Sequence, residues 1–178
     1  MMVFRKATQA DIPAVAAIYA SAHTAQERGL ISTGWVRAIY PTEETARMAL
    51  ARGDLFVGED DGRVFGTAII NQTQVDVYAD GHWKHPAADE QVMVLHTLVI
   101  DQALGRHGYG RAFVGFYEAY AREHDCPYLR MDTNAINVNA RGMYKKLGYD
   151  EVDIVPCVFN GIPDVQLVLL EKKLEGQL

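Results

Sequence analysis

Cysteine is scarce in this 178-residue chain: only Cys126 and Cys157 are present. Two thiols make no disulfide framework. No C-x-x-C or clustered His/Cys spacing accompanies them, so no metal site is expected. No apolar run approaches the ~20 residues that a membrane span needs, so no membrane partner is expected. The opening "MMVFRKATQADIP" turns polar too soon for a secretory leader, which predicts a cytoplasmic protein with reduced cysteines. A basic block is also missing. The 17 Lys and Arg residues are scattered and outnumbered by 23 Asp and Glu, leaving a net charge of −6. Without a basic face, nucleic acid is not an expected partner. An acidic surface weakly favours small cations. No repeat, low-complexity segment or linker divides the chain, so residues 1–178 read as a single domain.

Hydrophobic residues make up 49% of the chain, enough for a substantial core. "VFRKAT" at 3–8 predicts a first strand. Thr8 with Asp11 three residues on reads as a capping box, and Ile12, Val15, Tyr19 and Ala22 then recur at helical spacing. Thr42 opens a second helix that stops near Gly53. "LFVGEDDGRVFGTAII" predicts two strands turning at Asp61-Gly62, the second running on through "NQTQVDVY". Residues 81–90 read as a loop. "QVMVLHTLVID" at 91–101 predicts a strand with Val92, Val94, His96, Leu98 and Ile100 on one face and Met93, Leu95 and Val99 on the other. Phe113, Phe116, Tyr117 and Tyr120 mark one face of a helix. A strand at "YLRMDTNA", a helix at "NVNARGMYKKLGY" and two closing strands complete a β-α-α-β-β-β-α-β-α-β-β order. That order predicts an α/β (α+β) fold with a mixed sheet and helices on both faces.

The most distinctive local feature is "LGRHGYGRAF" at 104–113, with Gly105, Gly108 and Gly110 between a strand and a helix. Such a turn can present bare backbone N–H groups and a helix N-terminus to an anion. It can equally be a tight strand-to-helix connection with no ligand. The G-x-x-x-x-G-K-[ST] phosphate loop is absent. The G-x-x-G-x-G spacing, and its place after several strands, do not match the dinucleotide fingerprint.

The strand, the G-x-x-G-x-G turn and the following helix, together with Asn137, Ala140, Tyr144, Gly148 and Tyr149 in "NVNARGMYKKLGY", resemble the GNAT superfamily of acetyl-CoA-dependent N-acyltransferases. The longer stretches "VMVLHTLVID" and "LRMDTNAINVNARGMYKKLGY" look like a bacterial subgroup of it. The resemblance extends over the whole chain. It departs at Gly105, where Gln or Arg is usual, and Arg106 can supply that charge from the next position. It implies a mostly antiparallel sheet of six to seven strands, splayed between the fourth and fifth. It also implies acetyl-CoA as cosubstrate and acetyl transfer, by direct attack, to a small-molecule or peptide amine. A homodimer stays open.

By that resemblance, Leu98, Val99 and Ile100 would bond the pantetheine arm through their backbone, with one N–H polarising the thioester carbonyl. The N–H groups of Arg106, His107, Gly108, Tyr109, Gly110 and Arg111 would hold the pyrophosphate. Ordinary sheet and turn structure is the competing reading of both segments. Tyr144 would lie near the CoA sulfur and protonate the departing thiolate; it also shares an apolar face with Ala140, Met143 and Leu147, as a core aromatic would. Asn137 is either a contact of the CoA arm, a helix N-cap, or both. His96 interrupts an apolar strand face. It reads either as a hydrogen-bonded core residue or as the base that deprotonates the amine, since "LHTLVI" resembles "LHALAV" of arylalkylamine N-acetyltransferases. Asp132, Asp101 and Glu90 are further base candidates. Trp35, Tyr40, Tyr78 and Trp83 are candidates to line an acceptor pocket. A noncatalytic acyl-CoA-binding module is the alternative function.

Overall fold

The structure, a computed structural model, describes residues 1–105 and 107–176. Its strands are β1 (Met2–Lys6), β2 (Leu55–Asp60), β3 (Arg63–Asn71), β4 (Val92–Ile100), β5 (Tyr128–Asn134), β6 (Asp150–Phe159) and β7 (Ile162–Lys173). Its α-helices are α1 (Ile12–Glu27), α2 (Glu43–Arg52), α3 (Tyr109–Glu123) and α4 (Val138–Lys146). The strands form one sheet in the order β1-β2-β3-β4-β5-β7-β6. β4 and β5 run parallel, and the other neighbours pair antiparallel. The expected mixed, mostly antiparallel sheet is therefore what forms. β4 and β5 pair only from Val92↔Tyr128 to Leu95↔Met131. Beyond Leu95 the two strands part, and that gap is the expected splay.

Local chemistry explains the frame. Thr8 and Asp11 form the expected capping box around a short 3-10 turn, and the Arg5 guanidinium grips Asp11 at 2.8 and 2.9 Å. That pair holds the Asp11 carboxyl down at about 2. Ile12, Val15, Tyr19 and Ala22 then bury the inner face of α1 with Leu55, Val57, Ile69 and Val99 of the sheet. On the opposite sheet face, α3 buries Phe113 and Tyr117 fully. The Tyr117 hydroxyl donates to the carbonyls of Met93 (2.6 Å) and Arg130 (3.2 Å), so this helix bridges β4 and β5 just before they part. Cys126 is buried, Cys157 partly so, and both are free thiols.

Two sequence expectations need correction. β3 does not run on through residues 72–78. It ends at Asn71, whose side-chain oxygen accepts from Thr73 N–H (3.0 Å) and turns the chain. Residues 76–80 then form a 3-10 turn. The second correction concerns the faces of β4. Register slips between Thr67↔Val99 and Ile69↔His96, which leaves one extra residue on β4. Thr97 sits there at φ 49, a region costly for a β-branched residue. Because of this bulge, Leu98 and Ile100 pack with Met93 and Leu95 against α3, whereas Val92 and Val94 face the other side.

Candidate active site

The parted strands open a cleft of about 960 Å³. β4 contributes Leu95 and Thr97 through Ile100, and β5 contributes Asp132, Thr133 and Asn134. One end of the cleft is backbone-rich. Gly108 caps α3 in the left-handed conformation at φ 74, which leaves the first-turn N–H groups of α3 without intrahelical partners. Gly110 meets α4 closely: a Cβ there would lie 3.3 Å from Met143 Sδ. Gly108, Gly110, Arg111, Asn137, Met143 and Lys146 all line the cleft, with Met143 against Gly110. The arrangement suits an anion at the α3 N-terminus and an extended chain along the unpaired edge of β4.

The cofactor-side candidates fall as follows. Leu98, Val99 and Ile100 line the cleft, as do Gly108, Gly110 and Arg111. His107 and Tyr109 line a smaller depression beside the same turn, but the Tyr109 ring turns away to stack on Phe65, with its hydroxyl 3.3 Å from Asp60. Arg106 lies outside the described residues. Asn137 is the N-cap of α4, accepting from Ala140 N–H at 3.2 Å, and it also lines the cleft.

The other end is built from side chains. Trp35, Tyr40 and Phe159 pack with Ile162, Val165 and Leu167 in one apolar cluster that also contains Tyr78. The loop between α1 and α2 is pinned by Gln26, whose amide donates to the Trp35 carbonyl and accepts from Thr33 N–H (2.9 Å). Tyr40 bonds the hydroxyl of the bulged Thr97. Across the cleft, the β6–β7 turn places Asn160 at φ 50 and Gly161 at φ 77, and a Cβ on Gly161 would touch Ile39 at 3.2 Å.

Asp132 stands where the two ends meet. Its carboxylate accepts a 2.6 Å bond from the Tyr78 hydroxyl, yet burial dominates and raises its pKa to about 6. Tyr144 also lines the cleft, and burial together with the charge of Asp132 pushes its phenol well above the usual range, so it stays protonated. Tyr78 is itself held from behind. The Trp83 indole donates to the Tyr78 carbonyl (2.8 Å), and the Arg130 guanidinium lies 4.2 Å from the Trp83 ring. Arg130 pairs with the buried Glu171, which accepts from the N–H groups of Lys84 and His85.

His96 is not among the cleft-lining residues. It stays on the face of Val92 and Val94, where its Nε2 donates to Asn71 Oδ1 at 2.8 Å, while the bulge after it carries Leu98 and Ile100 to the other face. Burial lowers its pKa to about 4, so it is neutral at physiological pH. This is the hydrogen-bonded core placement, one of the two expected readings of His96. Of the other candidate bases, Asp101 is engaged by Arg63 (2.9 Å) and by Ala103 N–H, and Glu90 sits on an exposed turn. Among the four candidate pocket aromatics, Trp35 and Tyr40 line the cleft; Tyr78 and Trp83 support it from behind. The sequence reading missed the β6–β7 turn, although Asn160-Gly161 is a strong hairpin signal. Nothing local marks the Tyr78–Asp132 pair, whose members lie 54 residues apart.

Among the described residues, no helix is long and apolar enough to cross a membrane, and no group of three or more His, Cys, Asp or Glu is arranged to hold a metal. Residues 16–149 match the family model of the Acetyltransferase (GNAT) family. No curated protein matches the chain. Solved structures share its fold. An acetyltransferase of the GNAT family from Streptococcus agalactiae is 23% identical with a TM-score of 0.81, covering 98% of this chain and 96% of that one. A GCN5-related N-acetyltransferase from Kribbella flavida is 21% identical with a TM-score of 0.67, covering 97% and 98%. The yncA protein of Salmonella typhimurium, solved with its cofactor acetyl-CoA, is 16% identical with a TM-score of 0.67, covering 100% and 96%.

Proposed function

Because the chain belongs to the Acetyltransferase (GNAT) family, we propose that it transfers the acetyl group of acetyl-CoA to a primary amine bound beside Asp132. The observation that carries this reading is the pairing of a carboxylate titrating near 6 with a protonated phenol at the meeting point of a glycine cradle and an apolar pocket. Acetyl-CoA supplies an activated thioester and a thiolate leaving group. The residues fit it. Gly108, Gly110 and Arg111 suit its pyrophosphate, and the unpaired edge at Leu98, Val99 and Ile100 suits its pantetheine arm.

Asp132 is the proposed base. At pH 7 a carboxyl of pKa about 6 is largely ionised, so it can pair with the incoming ammonium and take its proton. Tyr144 is the proposed acid: its phenol holds a proton to deliver to the leaving sulfur. Backbone N–H groups of β4 beyond Leu95 are free of β5 and are the proposed donors to the carbonyl oxygen. His96 takes no part in the proton transfer.

The test is an acetyl-CoA assay across an amine panel, reading released thiol and the mass of the product. The reading expects thiol release that depends on the amine and matches acetylated product one for one. Stabilisation by CoA, about 2.7 kcal/mol at a hundredfold excess over Kd, with no thiol release from any amine would instead support the noncatalytic binding module.

A further inference from the structure

The acceptor end of the cleft has an uneven inventory of charge. Among the described residues that line the whole cleft, the charged ones are Arg111, Asp132 and Lys146. Arg111 lies in the first turn of α3, at the glycine cradle. Lys146 lies in the last turn of α4, one turn beyond Met143, the residue that approaches Gly110. Both cations belong to the cofactor end. At the other end, Asp132 is the only charge among the described lining residues, facing a wall of Trp35, Tyr40, Phe159, Ile162 and Val165 with the neutral side chains of Thr33, Asn134 and Asn160 beside it.

From this inventory we infer that the acceptor is a primary amine carried on an apolar body and bearing no carboxylate. The inference rests on the amine-acetyltransferase reading and names the class of amine. An ammonium entering this end meets the Asp132 carboxylate as its counter-ion. Its apolar remainder lies against aromatic and branched aliphatic side chains and brings no second charge that must be desolvated. An α-amino acid would bring its carboxylate into the same space. That carboxylate would find no cation among the described lining residues, and the like charge of Asp132 would face it. A site rejects such a ligand by the desolvation and repulsion it cannot repair. A diamine would fail for a related reason: its second ammonium would have to leave water for the apolar wall. The neighbouring side chains record how far the field of Asp132 reaches. It raises the pKa of the Tyr40 hydroxyl in the pocket wall and of the Cys157 thiol packed against the same apolar cluster, although burial is the larger cause for both. Any anion placed in the pocket beside Tyr40 meets the same field.

Matched pairs test this directly, because they differ by the carboxylate alone. Pentylamine is compared with norleucine, and benzylamine with phenylglycine, by kcat/KM for acetyl transfer at pH 7. Norleucinamide, which keeps the bulk and removes the charge, is the control. The expected result is a preference of roughly a hundredfold or more for each amine over its amino acid, with norleucinamide recovering most of the loss. Equal or better turnover of the amino acids would overturn the inference and leave the acetyltransferase reading intact. If norleucinamide is as poor as norleucine, size rather than charge is being excluded, which also overturns it. Calorimetric titration of the same compounds into CoA-saturated protein separates the two readings if none is acetylated. Binding of pentylamine but not norleucine would uphold the inference about the pocket while the catalytic reading failed. Absence of binding by the simple amines would end it.

Discussion

The two ends of the cleft are made of different material. The cofactor end depends on backbone. Its parts are a left-handed Gly108, a Gly110 packed against Met143, the first turn of α3 and a strand edge freed by the splay. Its side chains are mostly spacers. The acceptor end depends on side chains from four separate segments: the α1–α2 loop, the turn at 76–80, β5 and the β6–β7 hairpin. A backbone site tolerates many side-chain changes and fails when a glycine conformation is lost. A side-chain site fails at single functional atoms. Substitutions at the two ends should therefore separate into losses of cofactor affinity and losses of turnover.

The largest effect is expected at Asp132. Asp132→Asn keeps the shape and can still accept from Tyr78, but cannot take a proton. Turnover should fall by roughly 10³-fold with little change in CoA binding. The same variant should be more stable than the parent. A carboxyl whose folded pKa is raised from 3.8 to about 6 holds its proton longer in the folded chain than in the unfolded one. Stability is therefore lost as pH rises through that window, by roughly 2 to 3 kcal/mol at neutral pH. Thermal unfolding at pH 7 should show Asp132→Asn melting several degrees higher, and the gap should close near pH 4.

Next comes Tyr144→Phe, at the border between the two ends. It removes one proton and keeps the ring, so turnover should drop by about 10²-fold while acetyl-CoA affinity holds. Unchanged turnover would return Tyr144 to a packing role. Gly108→Val should do the reverse. It forces a β-branched residue to φ 74, where no protein atom within 4 Å obstructs the new Cβ, so the damage comes from backbone strain and blocked access. CoA should bind roughly tenfold more weakly or worse, measured by titration calorimetry, with kcat at saturation much less affected.

The difference in material also explains what could be read from the chain. The cofactor end lies within contiguous stretches, 98–111 and 137–147, so glycine spacing and helix periodicity announce it. The sheet, its order of elements and the capping of α1 and α2 rest on equally local signals. Asp132 was one candidate base among several, and its partner Tyr78 sat in a stretch read as a continuing strand. Their pairing exists because Arg130 and Glu171 tie the 83–85 segment against β5 and β7, a long-range consequence of packing. The expected faces of Leu98 and Ile100 fell to one extra residue in β4. A single bulge reverses every later side chain of a strand, and alternation alone cannot reveal it.

The pH dependence of acetyl transfer tests the account most directly. The Tyr78 hydroxyl lowers the pKa of Asp132, so Tyr78→Phe should raise it. His96 titrates near 4, below the limb assigned to Asp132. We predict that kcat in the parent protein rises with pH through an apparent pKa of about 6, measured with two acceptors of different pKa so that their own titration is separated. This limb should move to higher pH in Tyr78→Phe, with turnover at high pH reduced only a few-fold, and should stay in place in His96→Gln. A limb that disappears in His96→Gln and is unmoved in Tyr78→Phe would contradict the assignment of the proton transfer to Asp132.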